Sequence, residues 1–119
     1  MDGLKEKVIF MYGWGPEESS RAETLLHLAE TAKAMDLEVS IFLFIDGVLL
    51  AKKGVARMIS VEIAEELQKI LEGGIKVYVC ESALKSKGIL KEDLIEGVSV
   101  LGYATFLKMS LEAKSVITL

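Results

Sequence analysis

Short runs of consecutive apolar residues recur along the chain, with segments of helical rhythm between them. This alternation constrains the fold more than any other feature. The first run, Val8-Ile9-Phe10-Met11-Tyr12, is apolar at every position. A strand covered on one face alternates apolar and polar residues, whereas a strand of a parallel sheet is covered on both and does not. Residues 39–45 and 75–79 repeat the pattern, the second run leading into Cys80, and residues 98–101 and 116–119 read as shorter strands. Between the first two runs, Ala22, Leu25, Leu26, Ala29 and Ala32 keep the spacing of one buried helical face. Pro16 is placed at the first position of that helix, with Glu17 and Glu18 at its positive end, and the helix is expected to reach residue 35 or 36.

The remaining segments follow the same logic. Residues 48–59 are ambiguous and fit a short helix with a loop. Ser60 caps a helix whose inward stripe is Ile63, Ala64, Leu67, Ile70 and Leu71, and Gly73-Gly74 stops it. Residues 82–87 read as a short helix closed by Gly88, and residues 91–96 as a further helical turn ended by Gly97. Residues 102–113 read as the last helix, with Ala104, Leu107 and Leu111 inward. The β-α-β-α order predicts one layered α/β sandwich around a mainly parallel sheet of about five strands, with right-handed crossovers. No repeat, linker or low-complexity segment divides the chain, so residues 1–119 are expected to form a single domain.

Composition narrows the classes of function. Hydrophobic residues make up 51% and charged residues 27%, which excludes a disordered chain. The mean hydropathy of +0.39 is high, yet no apolar run approaches the roughly 18 residues of a membrane span. The apolar surplus is therefore expected to fill a core and a subunit interface. The net charge is −4 and no basic stripe occurs, so neither nucleic acid nor membrane is an expected partner. One histidine, His27, and one cysteine, Cys80, give no basis for a protein-built zinc site, and an intramolecular disulfide is impossible. No metal and no cofactor are expected. The first seven residues lack the apolar centre of a signal peptide, so a reducing, cytoplasmic setting is the expectation.

In an open parallel sheet, ligands bind outside the carboxyl ends of the strands. That rule selects Gly13 and Trp14 after the first strand, Asp46 and Gly47 after the second, and Cys80, Glu81 and Ser82 after the third. Cys80 is the most informative. It follows a buried strand and precedes a short helix, where free backbone N–H groups favour the thiolate, the nucleophilic form. Lys85 and Lys87 add positive potential and Glu81 opposes it. The alternative is a small buried hydrophobe.

Several cysteine chemistries fail on spacing. A thioredoxin-type pair needs a second cysteine where Ala83 stands, and a C-x5-R phosphate loop needs arginine where Ser86 stands. A cysteine-protease arrangement needs a histidine, but His27 lies on the first helix away from its apolar stripe. Gly13-Trp14-Gly15 is no dinucleotide fingerprint. Trp14 suits a pocket rim or a ring folded onto the core, and Asp46-Gly47 suits a ligand contact or a plain turn. A receiver domain needs acidic residues after its first strand and an aspartate ending its third, where Tyr12-Gly13 and Cys80 stand. Without a base or a second thiol, Cys80 suits a carrier.

Three segments carry a resemblance. They are Phe42-Leu43-Phe44-Ile45-Asp46-Gly47-Val48, then Gly73-Gly74-Ile75-Lys76-Val77-Tyr78-Val79-Cys80 with Lys87-Gly88-Ile89, and Asp93-Leu94-Ile95-Glu96-Gly97-Val98. In this order and spacing the chain resembles the DsrE/DsrF-like proteins, which include the TusD-type sulfur-relay subunits. The resemblance covers nearly the whole chain. It implies a three-layer α/β/α sandwich, a homo-oligomer such as a trimer or hexamer, and sulfur carried as a persulfide on the matching cysteine, Cys80. It also implies sulfur donor and acceptor proteins as partners, and a role on the border between carrier and sulfurtransferase. Two other readings stay open: a peroxiredoxin-like redox thiol, and a non-catalytic oligomeric binding module in which Cys80 is only buried.

Overall fold

The computed structural model describes residues 4–119; the N-terminal segment discussed above begins with residues 1–3, which lie outside them. Five strands form one sheet: β1 (Lys7–Tyr12), β2 (Glu38–Leu43), β3 (Lys76–Cys80), β4 (Val98–Leu101) and β5 (Ser115–Thr118). Their order is β4-β3-β2-β1-β5 and every pairing is parallel. The helices are α1 (Ser19–Ala34), α2 (Val55–Ile59), α3 (Val61–Glu72), α4 (Glu81–Lys87) and α5 (Tyr103–Glu112). They cover both sheet faces, which makes the molecule a three-layer α/β/α sandwich.

The register explains which helices share a face. Phe10 lies opposite Ile41, and Ile41 opposite Val77, so these side chains point the same way. The next position along, Met11 opposite Phe42 and Phe42 opposite Tyr78, points to the other face. The first set is buried with Leu25, Leu26 and Ala29 of α1 and Ile63, Leu67 and Ile70 of α3. The second meets α5, whose Phe106 stacks on Phe42. Ser60 accepts a hydrogen bond from the Ile63 N–H at 3.0 Å, the expected α3 cap, a contact of about 1 kcal/mol. Gly88, at φ +67°, closes α4.

Two boundaries differ from the sequence reading, and one open stretch is resolved. The first helix begins at Ser19 rather than at Pro16, because the Glu18 N–H donates to the Gly15 carbonyl in a separate turn. The Glu18 carboxylate then turns to Arg21 Nε, 3.0 Å away, and leaves the helix end uncapped. The second strand stops at Leu43, because Ile45 takes a left-handed backbone, φ +52°, and opens a 3₁₀ segment, Ile45–Ala51. The ambiguous stretch is thus that segment plus α2.

The last helix is rotated relative to expectation. Phe106 is buried and Met109 and Ala113 pack against the core, while Leu107 and Leu111 face outward at 60% and 87% exposure. Ala104 is exposed too. The Phe106 ring outweighs the aliphatic stripe because aromatic stacking on Phe42 buries more area than either leucine could there.

Candidate functional site

The carboxyl ends of β1, β2 and β3 lie side by side along one edge of the sheet. At that edge a cavity of about 360 Å³ opens between the sheet and α5. Met11, Phe42 and Phe44 form its sheet wall, Tyr103 and Phe106 its helical wall, and Ile45 its outer lip. Cys80, Ser82, Ala83, Ser86 and Lys87 complete it from β3 and α4.

Cys80 is the last residue of β3 and the one immediately before α4. It is only 3% exposed and is packed within the buried core, and it also lines the cavity wall. Its placement follows from register. Cys80 lies two positions after Tyr78, and so on the same sheet face as Phe42.

The other sequence-selected residues divide into three groups. Ser82 lines the cavity with Cys80. Asp46, Gly47 and Gly13 do not line the cavity; Asp46 and Gly13 touch its lining residues Lys87 and Phe44. Asp46 Oδ1 accepts from Lys87 Nζ at 2.6 Å, tying the segment after β2 to the end of α4. Gly47 is buried against β1, where a Cβ would overlap the Tyr12 carbonyl oxygen. A Cβ on Gly13 would lie 3.2 Å from the Phe44 ring, so glycine there admits that ring. Glu81 and Trp14 stand apart. Glu81 is exposed, with its carboxylate beside the Gly102 turn. Trp14 covers the Arg21 guanidinium, 4.1 Å from the ring centroid, and borders a separate tight crevice with Pro16 and Ile59.

The aromatic walls were not selected from the sequence. Phe42 and Phe44 sit in an apolar run that reads as core, and Phe106 and Tyr103 sit in a helix with no distinctive motif. The register of Phe42 with Cys80's strand was the missing information. Lys87 had a usable signal, because residues 80, 83 or 84 and 87 fall on one side of a helix.

Two titrating groups lie away from this cavity. Burial first, and then the Glu18 charge, push the Tyr12 phenol up to about 12, and its hydroxyl donates to the Glu18 carbonyl at 3.3 Å. His27 Nε2 lies on the surface 3.4 Å from Glu66. Among the described residues no helix is long and apolar enough to cross a membrane. No group of three or more histidine, cysteine or acidic side chains among them could hold a metal ion.

Comparison with known proteins places this architecture. The DsrE/DsrF-like family matches residues 6–119. The chain is 36% identical over 102 residues to the uncharacterized protein MK0008 of Methanopyrus kandleri, covering 86% of this chain and 84% of that protein. It is 33% identical over 97 residues to the uncharacterized protein MJ0760 of Methanocaldococcus jannaschii, covering 78% of this chain but only 35% of the relative's length. The crystal structure of the ychN protein from E. coli superposes with a TM-score of 0.83 at 24% identity, over 98% of this chain and all of that one. That similarity concerns the fold.

Proposed function

We propose that this chain, which belongs to the DsrE/DsrF-like family, carries sulfur as a persulfide on Cys80. One observation supports this reading above the others: the chain's only cysteine stands in the wall of a cavity at the carboxyl edge of the sheet. A carrier thiol needs access for one sulfur atom and protection from bulk solvent. A cavity walled by Met11, Phe42, Phe44 and Phe106 meets both needs.

The chemistry balances without a cofactor. The Cys80 thiolate attacks the outer sulfur of a donor persulfide, R–S–SH. A new S–S bond forms on Cys80, the donor S–S bond breaks, and the donor leaves as its thiolate. The outer sulfur releases its proton to water. An acceptor thiolate later takes the same sulfur by the same step, which returns Cys80 to the thiolate. Donor and acceptor are proteins in this reading, and the setting is a reducing one.

The proposal includes self-association. Tyr103, Leu107 and Leu111 recur every fourth residue of α5 and are 64%, 60% and 87% exposed. Such an apolar stripe suits contact with further copies of the chain, in a trimer or hexamer.

The test is intact-mass measurement after exposure to a low-molecular-weight persulfide donor. Wild-type protein gains one sulfur and Cys80→Ser gains none. If native Cys80 stays unmodified while the unfolded chain is modified, the carrier reading fails. The low exposure of Cys80 favours one competitor, a binding module with an inert thiol, and that same outcome supports it.

A further inference from the structure

Among the described residues, Lys87 is the only charged one lining the Cys80 cavity. Its side chain is 26% exposed, so most of the stem lies against protein while the ammonium reaches Asp46 Oδ1 at 2.6 Å. Asp46 itself is half exposed. The partner carboxylate is held by an unusual turn. Ile45, a β-branched residue, sits at φ +52°, which L-residues of its shape rarely adopt. The Gly47 N–H closes the turn on the Phe44 carbonyl at 2.8 Å, and Gly47 packs against the Tyr12 carbonyl. Backbone strain is thus maintained where it aims a carboxylate at the Lys87 ammonium of the cavity wall.

An anion inside apolar walls needs a countercharge. A persulfide is a stronger acid than its parent thiol, so its outer sulfur is anionic at neutral pH. We propose that Lys87 is the charge-selecting residue of the cavity, the countercharge for an anionic outer sulfur beside Cys80, with Asp46 holding the ammonium at the mouth while the cavity is empty. This assignment rests on the reading of Cys80 as the carrier. It makes the cargo class anionic sulfane sulfur, and Lys87 a positioning residue for it. Loading moves the ammonium from Asp46 to the sulfur, and unloading returns it.

The full chain is alkylated with iodoacetate, an anion, and with iodoacetamide, a neutral reagent of similar size. The ratio of the two rates at Cys80 reports local charge. Lys87→Met lowers the ratio about threefold to tenfold, the effect of one nearby charge at intermediate dielectric. Lys87→Arg restores it and Asp46→Asn raises it. A purely structural role for Lys87 would change both rates together and leave the ratio alone. Wild-type loading with sulfur, combined with an unchanged ratio in Lys87→Met, overturns the Lys87 assignment alone. A wild-type Cys80 that takes no sulfur from a persulfide donor overturns the carrier reading and the cargo with it.

Discussion

Phe106 of α5 lies face to face with Phe42 of β2, the ring centroids 4.1 Å apart and the planes within 15°. The pair joins the outer helical layer to the sheet and forms the inner end of the Cys80 cavity. Phe106→Ala is expected to cost about 3 kcal/mol, the lower end for a buried phenylalanine, because α5 has no other fully buried side chain. The same change opens the cavity, so native Cys80 reacts faster with a thiol reagent. Urea unfolding together with labelling kinetics checks both outcomes.

Gly47 and Gly13 differ in what surrounds their missing side chains. Gly47→Ala must displace β1 backbone at the Tyr12 carbonyl, a cost of about 3 kcal/mol. Gly13→Ala meets only the edge of the Phe44 ring at 3.2 Å, which can shift, and costs about 1 kcal/mol. Chemical denaturation of the two variants ranks them.

Glu66 supplies a pH signature. Burial, and then a side-chain hydrogen bond with Glu30, raise its carboxyl above the ordinary 4.5, while His27 pulls the other way. An acid raised on folding binds its proton more tightly in the native state. Its ionised form therefore weakens the fold above the raised value, and the penalty disappears as pH falls toward 4.5. Glu66→Gln is expected to stabilise the protein at pH 7.5 by roughly 0.5 kcal/mol, the scale of a relieved like-charge contact. The gain vanishes near pH 4. Thermal midpoints of both proteins across that range provide the measurement.

The exposed stripe of α5 gives a test of assembly. Leu111→Lys, at a position 87% exposed, leaves the stability of the single chain within about 0.5 kcal/mol. Sedimentation is expected to show a smaller assembly than wild type. An unchanged sedimentation coefficient for both Leu107→Lys and Leu111→Lys places the interface elsewhere.

The layered parallel sheet was legible because burial on both faces writes itself into consecutive apolar residues such as those from Val8 to Tyr12. The inward stripe of α1 was equally plain, since Ala22, Leu25, Leu26, Ala29 and Ala32 are all buried. The rotation of α5 was not legible. Leu107 and Leu111 have the spacing of a core face, and only the position of Phe42 on a distant strand makes Phe106 the anchor. The candidate site was read in the same uneven way. Strand ends are local information, and Cys80 and Ser82, chosen by that rule, both line the cavity. The aromatic walls come from two distant segments, the run through β2 and α5, and their convergence depends on tertiary packing. Trp14 was selected by the strand-end rule, but the Arg21 guanidinium holds it at a different crevice.

Because β5 pairs with β1 rather than with the strand before it, the sheet is completed only when the last of these five strands returns to β1. Until residues 103–118 have left the ribosome, one side of β1 lacks its partner and Phe42 lacks its cover. During that interval the thiol of Cys80 has no helical wall beside it. The nascent chain is therefore most open to adventitious oxidation and to strand-edge aggregation until α5 and β5 emerge and fold back onto the sheet.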